Sequence, residues 1–391
     1  MPGRRIRIGW GGAPSWFPAS ASAGSWVEIP GTAAGTLAAA GAQYGATRAW
    51  TSYLYDKVNR DVYSIRAAGH NDPGDNATRK LSLAAESCAW TALNTGSGLG
   101  AASPAINGTG ACSDGSASPD HNYNLVEFVD GEAWFLGYGA MASSLGESST
   151  AVWRLVPANV GNSTKGFEYI GLMDATYTGS GSQGTIAETG CDFDPTDRLF
   201  WNAIDGDATA YCYYSTMRDA PYTRTRYLGP MPYFFVPNHV RVIDRLRIAL
   251  LIGSGGETGK LAYIDLTNPG GGVTDITANQ SGTSPCGDKG MGVVFDANGN
   301  GGNGCLYAYN GGSTIYACDV PTTVGGTWAW RSFTAGGVTP PIPDDGLGGT
   351  RGTWKKLGLF PDFDRAGAGL LFYGPNYDGA CYGLRVNSTG L

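Results

Sequence analysis

The chain has 391 residues, of which 62 are glycine and 21 are proline, and its net charge at pH 7 is −7. Aromatic residues make up 12% and charged residues only 15%, the reverse of a composition that keeps a chain disordered. Basic runs stop at two residues, and the longest aliphatic run, Ile248–Ile252, is far shorter than the about 20 residues of a membrane span. We therefore expect a folded, turn-rich protein that neither binds nucleic acid nor inserts into a membrane.

The first residues do not have the form of a cleaved export signal. Arg4, Arg5 and Arg7 resemble the basic start of one, but Trp10 and Pro14 interrupt the apolar stretch that should follow. We expect residues 1–25 to be an N-terminal extension, without a standard cleaved signal peptide.

A unit of four predicted strands recurs along the rest of the chain. Each unit begins with an apolar strand that ends at an Asp, continues with a second apolar strand and a third alternating strand, and closes with a short strand that often begins with an aromatic residue. The second strands are the most uniformly apolar, as expected of strands buried on both faces. The units span about 50–93, 122–170, 190–228, 239–276, 291–333 and 354–386.

The last unit lacks a fourth strand, whereas Trp26–Ile29 forms a predicted strand with no unit before it. Pairing of this strand with Tyr382–Val386 would close a ring of sheets and remove open edges. The sequence thus predicts an all-β fold, a six-bladed β-propeller over residues 26–391, closed by the N-terminal strand 26–29 that completes the last blade. The hydrophobic periodicity predicts no helix.

The Asp turns, the Trp-led closing strands and the loop Ala67–Asp72 resemble kelch-type propellers of the galactose-oxidase-like group. The Gly-Gly pair of that group is present as Gly255-Gly256 and Gly311-Gly312, whereas the first blade has Ala68-Gly69. The chain is also similar to propeller proteins encoded among phage and prophage structural genes. This resemblance implies a non-enzymatic recognition or structural module, a tail-associated virion protein that contacts a host surface glycan or neighbouring virion subunits. It also implies a virion or extracellular location.

The three histidines fall in or beside predicted loops of one propeller face. His70, His121 and His239, with Asp72 and Asp75, would suit metal or glycan binding if the loops converge near the channel. Three separate histidines in hydrogen-bonded loops are the alternative. Both interpretations remain open.

Tyr377 beside Asp378 in the last unit is a candidate for stacking on a sugar ring while the carboxylate binds a hydroxyl. Packing between blades is the alternative for most aromatic residues of such a fold.

Asp296, Asn298 and Asn300 match the first half of a calcium loop, in which oxygen ligands alternate along the chain. Position twelve of that loop is Tyr307 instead of Glu, and the segment lies between two predicted strands. A Ca²⁺ site and a Gly/Asn-rich turn are the two alternatives, and Ca²⁺ is the one cofactor that the sequence suggests.

Eight cysteines show no Cys-x-x-Cys spacing. If Asn310–Ser313 form a turn, counting outward places Cys305 opposite Cys318, within reach of a disulfide. Buried free thiols are the alternative.

We find no Gly-x-Ser-x-Gly, phosphate-loop or His-Glu-x-x-His motif in the sequence. We therefore expect a binding module. The alternative is a secreted carbohydrate-active enzyme, oxidase-like or glycosidase-like, that uses the His-bearing loop face. The sequence does not specify the ligand or the stoichiometry, so the number of copies stays open.

Overall fold

The structure, a computed structural model, describes part of the chain, and all statements below concern that part. The described residues are 12–17, 24–32, 52–67, 75–96, 111–112, 114–117, 125–136, 151–172, 190–204, 211–215, 224–227, 237–253, 259–285, 291–343, 353–364, 366–375 and 379–387.

The described strands form six sheets, which we number along the chain. Sheet 1 contains β2 (Leu54–Asp56), β3 (Asp61–Ala67), β4 (Asp75–Ser82) and β5 (Thr91–Ala92). Sheet 2 contains β6 (Val126–Val129), β7 (Glu132–Leu136), β8 (Ala151–Leu155) and β9 (Phe167–Leu172). Sheet 3 contains β10 (Cys191–Asp194), β11 (Leu199–Ile204), β12 (Tyr211–Ser215) and β13 (Arg224–Tyr227).

Sheet 4 contains β14 (Pro237–Ile243), β15 (Ile248–Gly253), β16 (Leu261–Asp265) and β17 (Val273–Asp275). Sheet 5 contains β18 (Gln280–Ser281), β19 (Gly292–Asp296), β20 (Cys305–Tyr309), β21 (Thr314–Asp319) and β22 (Trp328–Thr334). Sheet 6 contains β1 (Ser25–Glu28), β23 (Gly336–Gly337), β24 (Leu357–Phe360), β25 (Gly369–Tyr373) and β26 (Tyr382–Val386).

Helical structure in the described residues is limited to short 3-10 turns. None of the described segments forms a helix with the length and hydrophobicity that crossing a membrane requires. The 3-10 turns are Pro157–Asn159, Asp244–Leu246, Pro269–Gly271, Thr277–Asn279, Asn300–Gly302 and Trp354–Lys356.

The first strands of the sheets contact one another in a closed cycle, in the order β2, β6, β10, β14, β19, β24 and back to β2. Hydrophobic clusters lie between neighbouring sheets, and every residue of β15, β20 and β25 is buried. Second strands covered on both faces explain why the sequence is continuously apolar there. The fold is an all-β propeller.

Strand β1 lies inside sheet 6. It pairs antiparallel with β26, with Trp26 opposite Leu384, and parallel with β23 on its other edge. The pairing with β26 is the one that the sequence predicts, whereas β23 and the similarly placed β18 are additional fifth strands. Gly337 allows the close approach of β23, since its φ is +76° and a Cβ there would lie 2.2 Å from the Trp26 carbonyl oxygen.

The residues before β1 contribute to the core, although the sequence suggests an extension outside the propeller. Trp16 and Phe17 are buried, and the Phe17 ring packs 4.8 Å from the Phe363 ring between sheets 1 and 6. The Trp16 indole N–H donates to the Ala85 carbonyl oxygen at 2.9 Å, which connects this segment to sheet 1.

Arginines at the end of two Asp turns connect neighbouring sheets. Arg198 and Arg247 both have left-handed backbone conformations, with φ of +58° and +51°. Arg247 of sheet 4 donates to both carboxylate oxygens of the fully buried Asp194 of sheet 3 at 3.0 Å. Arg198 of sheet 3 contacts Asp130 of sheet 2 at 3.3 Å in a much more exposed pair. The same turn position thus supports two ion pairs of very different burial.

Candidate functional site

A cavity of about 1230 Å³ lies at the centre of the cycle of first strands. Its mouth is surrounded by turns that join first to second strands, and residues of all six first strands line it. The volume exceeds the roughly 300–1,000 Å³ of common small-molecule pockets. The sequence instead suggests binding at the opposite ends of the strands, where most of the loops lie outside the described residues.

One strand position supplies a ring of mostly aromatic side chains around the cavity. In every sheet, the residue at this position pairs with the second residue of the neighbouring second strand. The six residues, which we call the aromatic ring, are Tyr55, Phe128, Phe193, Val242, Phe295 and Phe360. Tyr55, Phe128, Phe193 and Phe295 are half-buried and line the cavity.

The preceding strand position forms a second layer, which we call the divided layer. Its members pair with the third residue of each second strand and also line the cavity. Sheets 2, 3 and 4 contribute Glu127, Asp192 and Arg241, whereas sheets 5, 6 and 1 contribute Val294, Leu359 and Leu54. Half of this wall is therefore charged and half is aliphatic.

Lys355 forms the floor of the cavity. It precedes β24 in sheet 6, but its Nζ donates to the Val126 carbonyl oxygen and to Glu127 Oε1 of sheet 2. Cys191 Sγ of sheet 3 lies 3.6 Å from the same nitrogen. The side chain is only 7% exposed while crossing between these sheets, and the Tyr55 hydroxyl donates to the Lys355 carbonyl oxygen at 2.6 Å. Lys355 consequently reaches across the cavity from sheet 6 to sheets 2 and 3.

Asp192 and Arg241 bind the unpaired edges of neighbouring first strands. Asp192 Oδ2 accepts from the Val242 backbone N–H at 2.7 Å, and Arg241 Nε donates to the Val293 carbonyl oxygen at 3.0 Å. These contacts satisfy backbone groups that no strand pairs on the channel side. Burial is the main cause that raises the pKa of the Asp192 carboxyl group, and the negative charge of the nearby Glu127 carboxylate is the second.

His239 lies inside the propeller and not in an exposed loop, because β14 begins before it, at Pro237. It is 2% exposed; its Nε2–H donates to the Met291 carbonyl oxygen, and its Nδ1 accepts from Arg241 Nη2 at 3.4 Å. Burial is the main cause that lowers the pKa of His239 far below its ordinary value, and the positive charge of Arg241 is the second. His239 is thus a buried, hydrogen-bonded residue in the structure, and its predicted role in ligand binding stays a prediction.

The other residues of the predicted loop site cannot be placed from the described part of the chain. His70, Asp72, His121, Tyr377 and Asp378 lie outside the described residues. Asp75 begins β4, but its side chain is likewise outside the description. Their binding role stays a prediction.

The predicted calcium residues form a turn between β19 and β20. Asp296 is buried, and its Oδ1 accepts from the Asn298 backbone N–H at 2.9 Å, while Asn300 begins a 3-10 turn with φ of +50°. Burial raises the pKa of Asp296. Across the described residues, no three His, Cys, Asp or Glu side chains are grouped to hold a metal ion. Ca²⁺ binding here stays a prediction.

The predicted disulfide between Cys305 and Cys318 is wrong. Both cysteines are buried, no disulfide joins them, and the strand register pairs Cys305 with Asp319 and Leu306 with Cys318. A shift of one residue points the two side chains to opposite faces of the sheet. Gly311 and Gly312, both with positive φ, lie in the connection that lengthens the turn relative to the expected count.

The sequence interpretation did not identify the residues that line the cavity. A usable signal was nevertheless present, because an aromatic residue directly precedes the turn Asp in Tyr55-Asp56, Phe193-Asp194 and Phe295-Asp296. Aligning the first strands on that Asp would have placed the aromatic residues at one level. The position of Lys355 before its strand offers no comparable signal.

No protein-family model and no curated protein matches the chain. Among solved structures, the YjhT structure matches with a TM-score of 0.44 at 12% identity, over 87% of this chain and 94% of that one. A nidogen/laminin complex matches with a TM-score of 0.42 at 10% identity, over 74% and 81%. TolB from Acinetobacter baumannii matches with a TM-score of 0.38 at 10% identity, over 90% and 67%. At this level of similarity the matches assign neither a family nor a function.

Proposed function

We propose that the chain is a non-enzymatic recognition module that binds a saccharide in its central cavity. In this proposal the six sheets are the six blades of one ring, related to kelch-type propellers and closed by β1. Its setting is a virion, outside the cell, where a tail-associated protein contacts a host surface glycan or neighbouring virion subunits.

The combination of the aromatic ring with the divided layer carries this proposal. Aromatic faces pack against the C–H groups of a sugar ring, and carboxylate oxygens accept hydrogen bonds from its hydroxyls. Tyr55, Phe128, Phe193 and Phe295 supply aromatic rings, and Glu127 and Asp192 supply carboxylates, within one cavity.

The hydrogen bonding of the carboxylates favours binding over catalysis. Glu127 is paired with Lys355, and both Asp192 oxygens accept from backbone N–H groups, those of Val242 at 2.7 Å and Phe193 at 3.0 Å. A glycosidase needs one carboxyl group that protonates the leaving oxygen and a second that attacks or activates water. Because the Glu127 and Asp192 carboxylates already bind groups of the protein itself, they are poorly suited to protonating a leaving oxygen or to attacking the sugar or activating water.

A glycan array probed with the purified protein tests the proposal. We expect binding that the Phe193→Ala and Phe128→Ala variants weaken, because each loses a stacking surface. Tyr169→Ala serves as the matched control, since Tyr169 is a 39% exposed aromatic residue on β9, outside the cavity. Absence of binding to every glycan, or equal loss in the control, would contradict saccharide recognition in the cavity.

Glycoside hydrolysis is the second candidate, because two carboxylates lie near each other and the pKa of Asp192 is raised by burial and by Glu127. Incubation of array-positive glycans with the protein, followed by mass spectrometry, separates the two functions. Released product that disappears in both Glu127→Gln and Asp192→Asn would establish the enzyme and refute the binding-only proposal.

The virion setting is tested separately. Purified virus particles are analysed by mass spectrometry, and we expect peptides of this chain among their proteins.

A further inference from the structure

We infer that the cavity binds the terminal residue of a saccharide chain and excludes the interior of the chain. This inference rests on the proposed function and adds to it the part of the ligand that is recognised. It follows from the crossing of the cavity by Lys355, the order of the layers and the asymmetry of the divided layer.

Lys355 obstructs the cavity on the side away from the turns that join first to second strands. Its side chain crosses from sheet 6 to sheets 2 and 3, where it contacts Val126, Glu127 and Cys191. A ligand that enters past those turns therefore meets Lys355 below the divided layer.

The layers lie in a fixed order along the first strands. The aromatic ring is nearest to the turns at the mouth, the divided layer is one residue deeper, and Val126 and Cys191, which contact Lys355, are one residue deeper again. A saccharide chain that enters end-on would pass the aromatic rings first and place its last residue in the divided layer. The cavity of about 1230 Å³ has room for more than one sugar residue, since roughly 300–1,000 Å³ accommodates drug-sized ligands.

The divided layer matches the two-sided chemistry of one sugar residue. Glu127, Asp192 and Arg241 come from consecutive sheets and line one half of the wall. Each carboxylate oxygen can accept two hydrogen bonds, so both acids keep capacity for a hydroxyl besides their internal partners. The opposite half, from Leu54, Val294 and Leu359, offers only aliphatic surface. A sugar residue has both hydroxyls and C–H patches and can satisfy both halves at once.

The test uses an array of oligosaccharides that share internal sequences but differ in their terminal residues, with free monosaccharides as soluble competitors. We expect bound glycans to group by terminal residue, and the matching monosaccharide to compete. Asp192→Asn should weaken that competition by about tenfold or more, as loss of a charged hydrogen-bond acceptor implies. Glu168→Gln is the matched control, because Glu168 is an exposed acid on β9, remote from the cavity.

Two results separate this inference from the proposed function. Binding that depends on internal repeats and ignores both the terminal residue and the monosaccharides would overturn end recognition and leave glycan recognition intact. Absence of binding to the whole array would overturn both. If Asp192→Asn does not fold, as judged by circular dichroism, Phe193→Leu takes its place, since terminal-residue competition should weaken there as well.

Discussion

The buried indole of Trp26 allows the packing of the closing strand to be tested with three substitutions. Trp26 is 1% exposed, and its ring packs 4.9 Å from the Tyr309 ring and 6.1 Å from the Tyr373 ring. Trp26→Ala should lower the free energy of unfolding by about 3–5 kcal/mol, because it removes a large buried side chain and leaves a cavity. Urea unfolding followed by circular dichroism measures this loss.

Trp26→Phe should instead change the free energy of unfolding by less than about 1 kcal/mol. Among the described residues, the Trp26 Nε1–H has no hydrogen-bond partner, so removing this buried donor offsets the smaller ring volume. Trp328 is the matched control: it is 0% exposed, and its Nε1–H donates to the Val324 carbonyl oxygen at 3.3 Å. Trp328→Phe should cost about 1–3 kcal/mol, since an acceptor loses its partner. Equal costs for the two Phe variants would refute this reasoning, and a negligible cost for Trp26→Ala would refute the structural role of β1.

Three further predictions concern ion pairs, pH and thiols. Arg247→Ala should lower the free energy of unfolding by about 1–3 kcal/mol, because the buried Asp194 loses the arginine of its ion pair. Arg198→Ala removes an exposed ion pair at a residue of the same backbone conformation and should cost less than about 1 kcal/mol, so equal urea midpoints for the two variants would contradict the prediction. The pKa of His239 in the folded state lies below its unfolded value of about 6.5, so at low pH the unfolded state binds a proton that the folded state does not. The free energy of unfolding should therefore fall as the pH decreases below about 6.5, and His239→Gln should weaken this dependence. An identical pH profile of the urea midpoint in the variant would contradict the prediction. Burial raises the pKa of the Cys191 and Cys305 thiols to about 12, and six of the eight cysteines are buried in the described part of the chain. No more than two thiols per native chain should therefore react rapidly with Ellman's reagent at pH 8, and rapid reaction of three or more would be inconsistent with the structure.

The strands were predictable because their burial leaves a pattern in the sequence. The second strands, such as Ile248–Gly253, are covered on both faces and read as continuous apolar runs. The two-residue strands β18 and β23 were not predictable, because each pairs with a strand that is distant in sequence: β18 with β22, and β23 with β1. The disulfide prediction failed for a related reason, since a turn one residue longer than expected inverts the facing of a whole strand.

The candidate site was less predictable than the strands. Glu127, Asp192 and Arg241 look like ordinary strand residues in the sequence, and only the common register of three sheets brings them to one level of the cavity. His239 shows the opposite case: its residue type suggested chemistry, but its surroundings make it a neutral hydrogen-bonding group.

The position of β1 between β26 and β23 has a consequence for biosynthesis. Thr32 and Cys381, which hydrogen-bond next to this junction, are 349 residues apart in the chain. During translation, β1 therefore leaves the ribosome long before β23 and β26, the strands with which it pairs. Such a distant pairing is slow to form and exposes an aggregation-prone edge in the meantime. A nascent chain of this protein should consequently depend more on chaperones before the last sheet emerges than after it.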